Sequence, residues 1–349
     1  MRLQKPGRRA GWVALRGAYG TGALSGLAAV GYGVIRAQAK HARRTIGEPT
    51  GLPPDPTGTY GRHPGPALRL VMLGDSSASG LGADSPAHTP GALLAGGIAR
   101  DLKRKVRLDG YAFVGARSAD LDAQVAKALQ RQVDLAVIMV GTNDVTHGIG
   151  PATAGRDLGR TVQTLRAAGV LVVVGTCPDL GVVKPLMQPL RTVASFLSRR
   201  MAAAQAVAVV ENGGVAVTLG SLLTKEFSES DHLWSADRFH PSPEGYRRVT
   251  DALLPSLLEG MGVQIQVSVP ISSTVQDVKI AAELAAREPG LMVESVPGEQ
   301  GAAAGGPGRL ARVVRRLPVV GRGAPDARLA DDVPEVVQEP GPQDPLASG

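Results

Sequence analysis

A serine, a histidine and a carboxylate of the kind that together transfer acyl groups stand at separated points of this chain: Ser76, His240 and Asp237. Ser76 lies in Gly74-Asp75-Ser76-Ser77, and the other two lie in Asp237-Arg238-Phe239-His240-Pro241. A serine hydroxyl is a weak nucleophile until a base takes its proton, and an imidazole serves best when a carboxylate fixes its tautomer. The two-residue gap between Asp237 and His240 lets one local turn hold the carboxylate against one ring nitrogen. The other nitrogen is then free to face the serine. Acyl transfer also needs donors for the oxyanion of the tetrahedral intermediate. Asn143, in Gly141-Thr142-Asn143-Asp144, carries an uncharged carboxamide with two N–H donors. Gly115 offers a backbone N–H with no side chain in the way. Ser77 and Ser79 compete as nucleophiles, Asp231 competes as the carboxylate, and each segment taken singly also reads as an ordinary turn or cap. His41, His63, His88, His147 and His232 read as solvated side chains.

The elements that must position these residues explain why they belong together. Apolar runs over 68–73, 106–114 and 135–140 read as strands, and Gly74, Gly115 and Gly141 each stand immediately after one of them. In an open α/β sheet, ligands bind beyond the carboxyl ends of the strands. Further strands are expected at 170–175 and within 207–217. Helices are expected at 91–103, 118–130, 157–168, 189–206 and 243–259, the last with Ser242 as N-cap and Pro243 at its first position. This alternation predicts right-handed βαβ units and a parallel sheet with helices on both faces. The Asp237–His240 segment falls just before the final helix, on a loop that returns to the same sheet edge.

Four regions follow: a basic and apolar N-terminus (1–45), a linker (46–64), the α/β domain (65–260) and a C-terminal extension (261–349). Residues 1–50 hold nine of the 38 Lys and Arg but one of the 31 Asp and Glu, so 29 basic residues face 30 acidic ones in the remainder. The net charge of +7 is therefore an N-terminal property. A near-neutral domain with 3% aromatics argues against nucleic-acid binding. The lone Cys177 excludes an internal disulfide and a Cys-rich zinc site, and His147 with Asp144 is too small a ligand set for another metal. No cofactor is expected. Residues 17–35 carry no charge and lie between basic flanks, which leaves open a signal-anchor helix, a signal peptide cleaved after Ala37-Gln38-Ala39, and a peripheral arm. The expectation is export, with the domain membrane-anchored or secreted. In the extension, 276–287 reads as one helix and the Gly- and Pro-rich remainder as disordered.

The four blocks resemble those of the SGNH or GDSL-type serine hydrolases: Gly74-Asp75-Ser76, Gly115, Gly141 to Asp144, and Asp237 to His240. Ser77 departs from the apolar residue many members carry at that position. The resemblance implies a flavodoxin-like three-layer α/β/α sandwich with a parallel five-stranded sheet and a shallow, exposed cleft. It implies Ser76 as nucleophile, His240 as base and Asp237 as its orienter, with Ser76 N–H, Gly115 N–H and Asn143 as the oxyanion hole. The substrates it implies are small esters, lipids, thioesters or acetylated glycans. An α/β-hydrolase reading is weaker, because Ala78 stands where the nucleophile elbow needs its second glycine. The alternative of another class is an inactive hydrolase fold serving as a membrane-tethered binding module.

Overall fold

Period-two alternation in the strands builds the two faces of the sheet. In β2 (Leu68–Gly74), Val71 and Leu73 pack into one cluster while Leu70 and Met72 pack into the other. The computed structural model describes residues 29–47 and 51–263, together with 268–270, 276–277, 279–280, 282, 291–295 and 310–316. Within it, β3 (Val106–Gly110), β2, β4 (Leu135–Met139), β5 (Leu171–Gly175) and β6 (Val215–Val217) lie side by side in that order, all parallel. All five residues of β4 are buried, as a central strand covered on both faces requires.

Helices α4 (Leu121–Ala128), α6 (Pro151–Ala167) and α7 (Leu190–Glu211) cover the Val71 and Leu73 face. Helices α3 (Pro90–Leu102), α8 (Leu219–Glu229) and α9 (Pro243–Gly260) cover the other. The result is a three-layer α/β/α sandwich in flavodoxin-like strand order. From β2 the chain steps outward to β3 and then crosses back to β4, so the switch point, where a ligand crevice forms, lies at the tip of β2.

The sheet is wider than the five parallel strands expected. β1 (Gly58–Tyr60) pairs antiparallel with β3 and buries Tyr60, so the segment read as a linker supplies an edge strand. Beyond β6 the sheet continues through β9 (Leu291–Ser295), β10 (Leu310–Arg316) and β7 (Ser268–Pro270), with β8 (Gln276–Asp277) also on β10. The extension read as disordered thus contributes strands, and Val293 reaches the core where it pairs with Ala216. Of the helix expected at 276–287, residues 276–277 are strand, 279–280 and 282 are helical, and the others lie outside the described residues. Residues 207–211 continue α7 rather than opening a strand, which leaves only Val215–Val217 for β6.

At the N-terminal side, α1 (29–46) is helical. Residues 17–28 of the expected anchor lie outside the described residues. Among the described residues one helix, α7, is long and apolar enough to cross a membrane, and its buried face belongs to the core of the sandwich.

Candidate active site

Two glycines let the strand tips turn. Gly74 and Gly141 sit at φ +130° and +132°, a region that L side chains rarely adopt. A Cβ on Gly74 would lie 1.9 Å from the Met139 carbonyl oxygen, and one on Gly141 would lie 2.7 Å from Gln205 Nε2. After Gly74 the chain enters α2 (Ser76–Ser79), capped by the Asp75 carboxylate, which accepts the Ser77 N–H at 2.9 Å. Ser76 therefore sits at the first position of a one-turn helix, on the tip of β2. Ser79 donates its hydroxyl to the Ser76 carbonyl.

The loop before α9 brings its residues to the same place. Trp234 and Pro241 form an antiparallel bridge, and Ser235 N–H donates to the His240 carbonyl. Arg238 takes the left-handed conformation inside this turn, at φ +56°. Asp237 Oδ1 accepts from the Ser235 hydroxyl and from the Phe239 and His240 N–H groups at 2.8, 2.8 and 2.9 Å. Its Oδ2 lies 2.6 Å from His240 Nδ1, and His240 Nε2 lies 3.0 Å from Ser76 Oγ. Phe239 stacks edge-on against the imidazole, and Ser76 and His240 are both buried. Burial pushes the Asp237 carboxyl up, but its hydrogen bonds from the His240 ring, the two backbone N–H groups and Ser235 hold it well below the usual carboxylate range. Asp231 pairs with Lys184 instead.

Asn143 is the second residue of α5 (Thr142–Thr146), just past the tip of β4, and donates one amide hydrogen to the Ala116 carbonyl at 3.0 Å. A carboxamide has a second hydrogen to give. The contact places Asn143 beside the segment of Gly115, which is exposed and at φ +88°. Asp144 is buried and accepts from the Ser118 N–H and hydroxyl, tying the loop after β4 to the loop after β3.

Two glutamines absent from the expected site hold the strand tips. Gln124, on α4, donates to the Gly74 carbonyl and accepts the Gly74 N–H. Gln205, on α7, donates to the Val140 carbonyl and accepts the Cys177 N–H. Their sequence signal is a glutamine on the apolar face of an amphipathic helix. Asp75 is also buried, and burial pushes its carboxyl up to about 6 against the pull of the Ser77 N–H and of His240.

An apolar cavity opens beside Ser76 and His240. Leu180, Val183, Leu219, Leu223, Phe227 and Trp234 make its walls mostly apolar. Thr176 also lines it, fully buried, and its hydroxyl makes no hydrogen bond among the described residues. Among those residues no group of His, Cys, Asp or Glu is arranged to hold a metal. An imidazole poised on a buried serine hydroxyl, with a carboxylate behind it and amide donors nearby, can deprotonate that hydroxyl for attack on a carbonyl.

Residues 72–248 match the model of the GDSL-like lipase/acylhydrolase family. A GDSL-like esterase of Mycobacterium tuberculosis is 40% identical over 252 residues, which cover 68% of this chain and 79% of that protein. Among solved structures, an acetylxylan esterase from Geobacillus stearothermophilus is 17% identical with a TM-score of 0.42, over 58% of this chain and 97% of that one. A lipase/acylhydrolase from Enterococcus faecalis is also 17% identical with a TM-score of 0.42, over 56% and 97%.

Proposed function

Because the chain belongs to the GDSL-like lipase/acylhydrolase family, we propose that it hydrolyses a carboxylic ester through an acyl-enzyme on Ser76. The observation that carries this reading is the unbroken line from Asp237 through His240 to Ser76, with contacts of 2.6 and 3.0 Å. His240 Nε2 takes the hydroxyl proton as Ser76 Oγ attacks the ester carbonyl. The carbonyl oxygen becomes an oxyanion facing Ser76 N–H, Gly115 N–H and the free Asn143 amide hydrogen. The C–O bond to the alcohol then breaks, and the leaving oxygen collects the proton from His240. A water molecule repeats the sequence on the acyl-enzyme and releases the acid.

The cavity supports a reading of where the two halves of the substrate lie. The alcohol must leave and be replaced by water, whereas the acyl group stays attached to Ser76 between the two steps. The side of Gly115 and Asn143 is open, while the apolar cavity is walled by buried and half-buried side chains. The cavity therefore takes the acyl chain, and the alcohol leaves toward solvent. Residues 17–35 tether the domain to the outer face of the cytoplasmic membrane in the same reading. Protease added to intact spheroplasts should then digest the domain, and full protection would place it inside.

A fluorophosphonate should label Ser76. Ser76→Ala should abolish both labelling and p-nitrophenyl ester turnover, while Ser77→Ala keeps both. Retention of turnover in a folded Ser76→Ala protein would refute the assignment.

A further inference from the structure

Helix α1 docks on the domain by a narrow stripe. Ile35, Gln38, Ala39, Ala42 and Ile46 are its half-buried or buried positions, spaced to lie on one face. Gln38 makes a two-way clasp at the entry to α7: its Nε2 donates to the Gln188 carbonyl at 2.6 Å and its Oε1 accepts the Leu190 N–H at 3.0 Å. Arg43 donates to the Thr146 carbonyl at 3.2 Å, at the end of the short helix that begins with Thr142 and Asn143. Both attachments belong to loops that follow the carboxyl ends of β4 and β5. The helix is therefore fastened to the active-site end of the sandwich. Leu186, close to the clasp, packs on Leu180 and Val183, which line the cavity.

The first part of α1 overhangs the domain. Residues 29–34 are all exposed, including Val30, Tyr32 and Val34, a length of about 9 Å at the helical rise. The sequence before it, from Gly17, carries no charge. Where the overhang meets the domain the helix becomes basic. Arg36 stands over the Tyr32 ring, and Lys40, Arg43 and Arg44 follow with no acid until Glu48. An aromatic ring followed by a band of basic residues is the order in which side chains meet a bilayer interface and then its anionic headgroups. Met187, Phe196 and Leu197, from the loop entering α7 and its second turn, are exposed apolar residues near the same end.

We propose that α1 lays the active-site end of the domain against an anionic bilayer, so that the cleft meets its ester substrate at the membrane surface. The proposal rests on the ester-hydrolase reading for the identity of the substrate but not for the docking itself. Val30, Tyr32 and Val34 enter the membrane, the basic band meets lipid phosphates, and the clasp at Gln38 transmits that orientation to the loops around the cavity. The substrate class is an amphiphilic ester held in the outer leaflet, its acyl chain passing from lipid into the apolar cavity.

The test uses the full chain in vesicles of phosphatidylcholine alone or mixed with phosphatidylglycerol, some containing bromolipid quenchers. Cys177 is buried, so a fluorophore can be placed on Met187→Cys or on Arg131→Cys, which precedes β4 at the opposite end of the sheet. The expected result is strong quenching at position 187 and none at 131, with more quenching as the anionic lipid fraction rises. The variant Arg36→Ser/Lys40→Ser/Arg44→Ser should reduce the docked-to-undocked ratio by about 100-fold, from roughly fivefold per basic residue at an anionic surface. Its turnover of vesicle-borne ester should fall with that ratio, while turnover of soluble p-nitrophenyl ester in detergent stays at the parent level. Equal quenching at both positions, no quenching at 187, or docking indifferent to anionic lipid would overturn the proposal. So would protection of 187 by self-association of the chain without lipid. Loss of soluble-ester turnover in the parent chain would instead count against the hydrolase reading and leave the docking result standing.

Discussion

Replacing Asp237 by Asn and by Ala separates two tasks that the carboxylate performs. Oδ1 closes the turn by accepting from Ser235, Phe239 and His240, and Oδ2 alone faces the imidazole. Asparagine can keep all three Oδ1 bonds but presents an N–H₂ to Nδ1. The ring must then accept there, so its single proton moves to Nε2 and points at Ser76 Oγ. A ring in that tautomer cannot take the serine proton. The expected loss is about 10⁴ in kcat, the size seen when the orienting carboxylate of a hydrolytic triad becomes an amide. That corresponds to about 5.5 kcal/mol of lost transition-state stabilisation. Stability should fall by only about 1 kcal/mol, because one charge-assisted bond is lost.

Alanine should show a similar loss in kcat but a larger loss of stability. It leaves two backbone N–H groups and the Ser235 hydroxyl without their acceptor in a half-buried turn, at a cost of about 2–4 kcal/mol. The assay pairs p-nitrophenyl butyrate turnover with urea unfolding of both variants. Because the Asp237 carboxyl lies below its ordinary value, its contribution to stability is fully present above the unfolded pKa of about 4. It fades as pH falls through the folded value, so wild type should lose stability to acid more steeply than Asp237→Asn. If Asp237→Asn works within tenfold of wild type, the tautomer argument fails. If it unfolds as readily as Asp237→Ala, the division between the two oxygens fails.

Asp75 should show the opposite sign. Burial raises its carboxyl to about 6, so its folded form holds the proton more tightly than the unfolded chain does. Stability is then greatest below about pH 4 and declines as pH rises through 6, by up to about 3 kcal/mol for a shift of about two units. Asp75→Asn keeps a side-chain acceptor for the Ser77 N–H and cannot ionise, so its advantage in urea unfolding should be larger at pH 8 than at pH 4, and an equal difference at both would contradict the sign. Val293→Asp would put a carboxylate where Val293 is fully buried beside Ala216, which β9 can avoid only by leaving the edge of β6. The variant should lose about 2–3 kcal/mol and aggregate at lower temperature through the uncovered edge, and unchanged melting and solubility would show that the added strands carry no stability.

Residues whose partners lie near in sequence were legible, and those whose partners lie far away were not. The Asp237–His240 turn is local, and Gly74 and Gly141 announce themselves by standing at the ends of apolar runs. The strand at 135–140 was clear because a fully buried strand is apolar throughout. By contrast, Gly58–Tyr60 has three residues and no pattern of its own, and it becomes a strand only because the edge of β3 is available. The same holds for β9 against β6. The valines of 207–210 favour a strand locally, yet Val209 and Val210 fill the space between α7 and the sheet, and that packing keeps them helical.

The glutamines make the sharper case, because they show what sets the spacing of the site. Gln124 grips the backbone of Gly74 through both its N–H and its carbonyl, two residues before Ser76. Gln205 joins the tip of β4 to the segment after β5, and Asp144 joins the loop of Asn143 to the loop that follows Gly115. Gly82 allows the Pro241 carbonyl to approach within 2.5 Å of where a Cβ would stand, pressing the His240 loop toward α2. Each contact joins two different segments, so none can be read from one segment alone. A 3.0 Å contact between residues 164 positions apart depends on such cross-ties, because neither the serine helix nor the histidine turn can fix its distance from the other. The residues of the proposed chemistry therefore stand in four short blocks, and their geometry is held by buried polar side chains on the helices that cover the sheet.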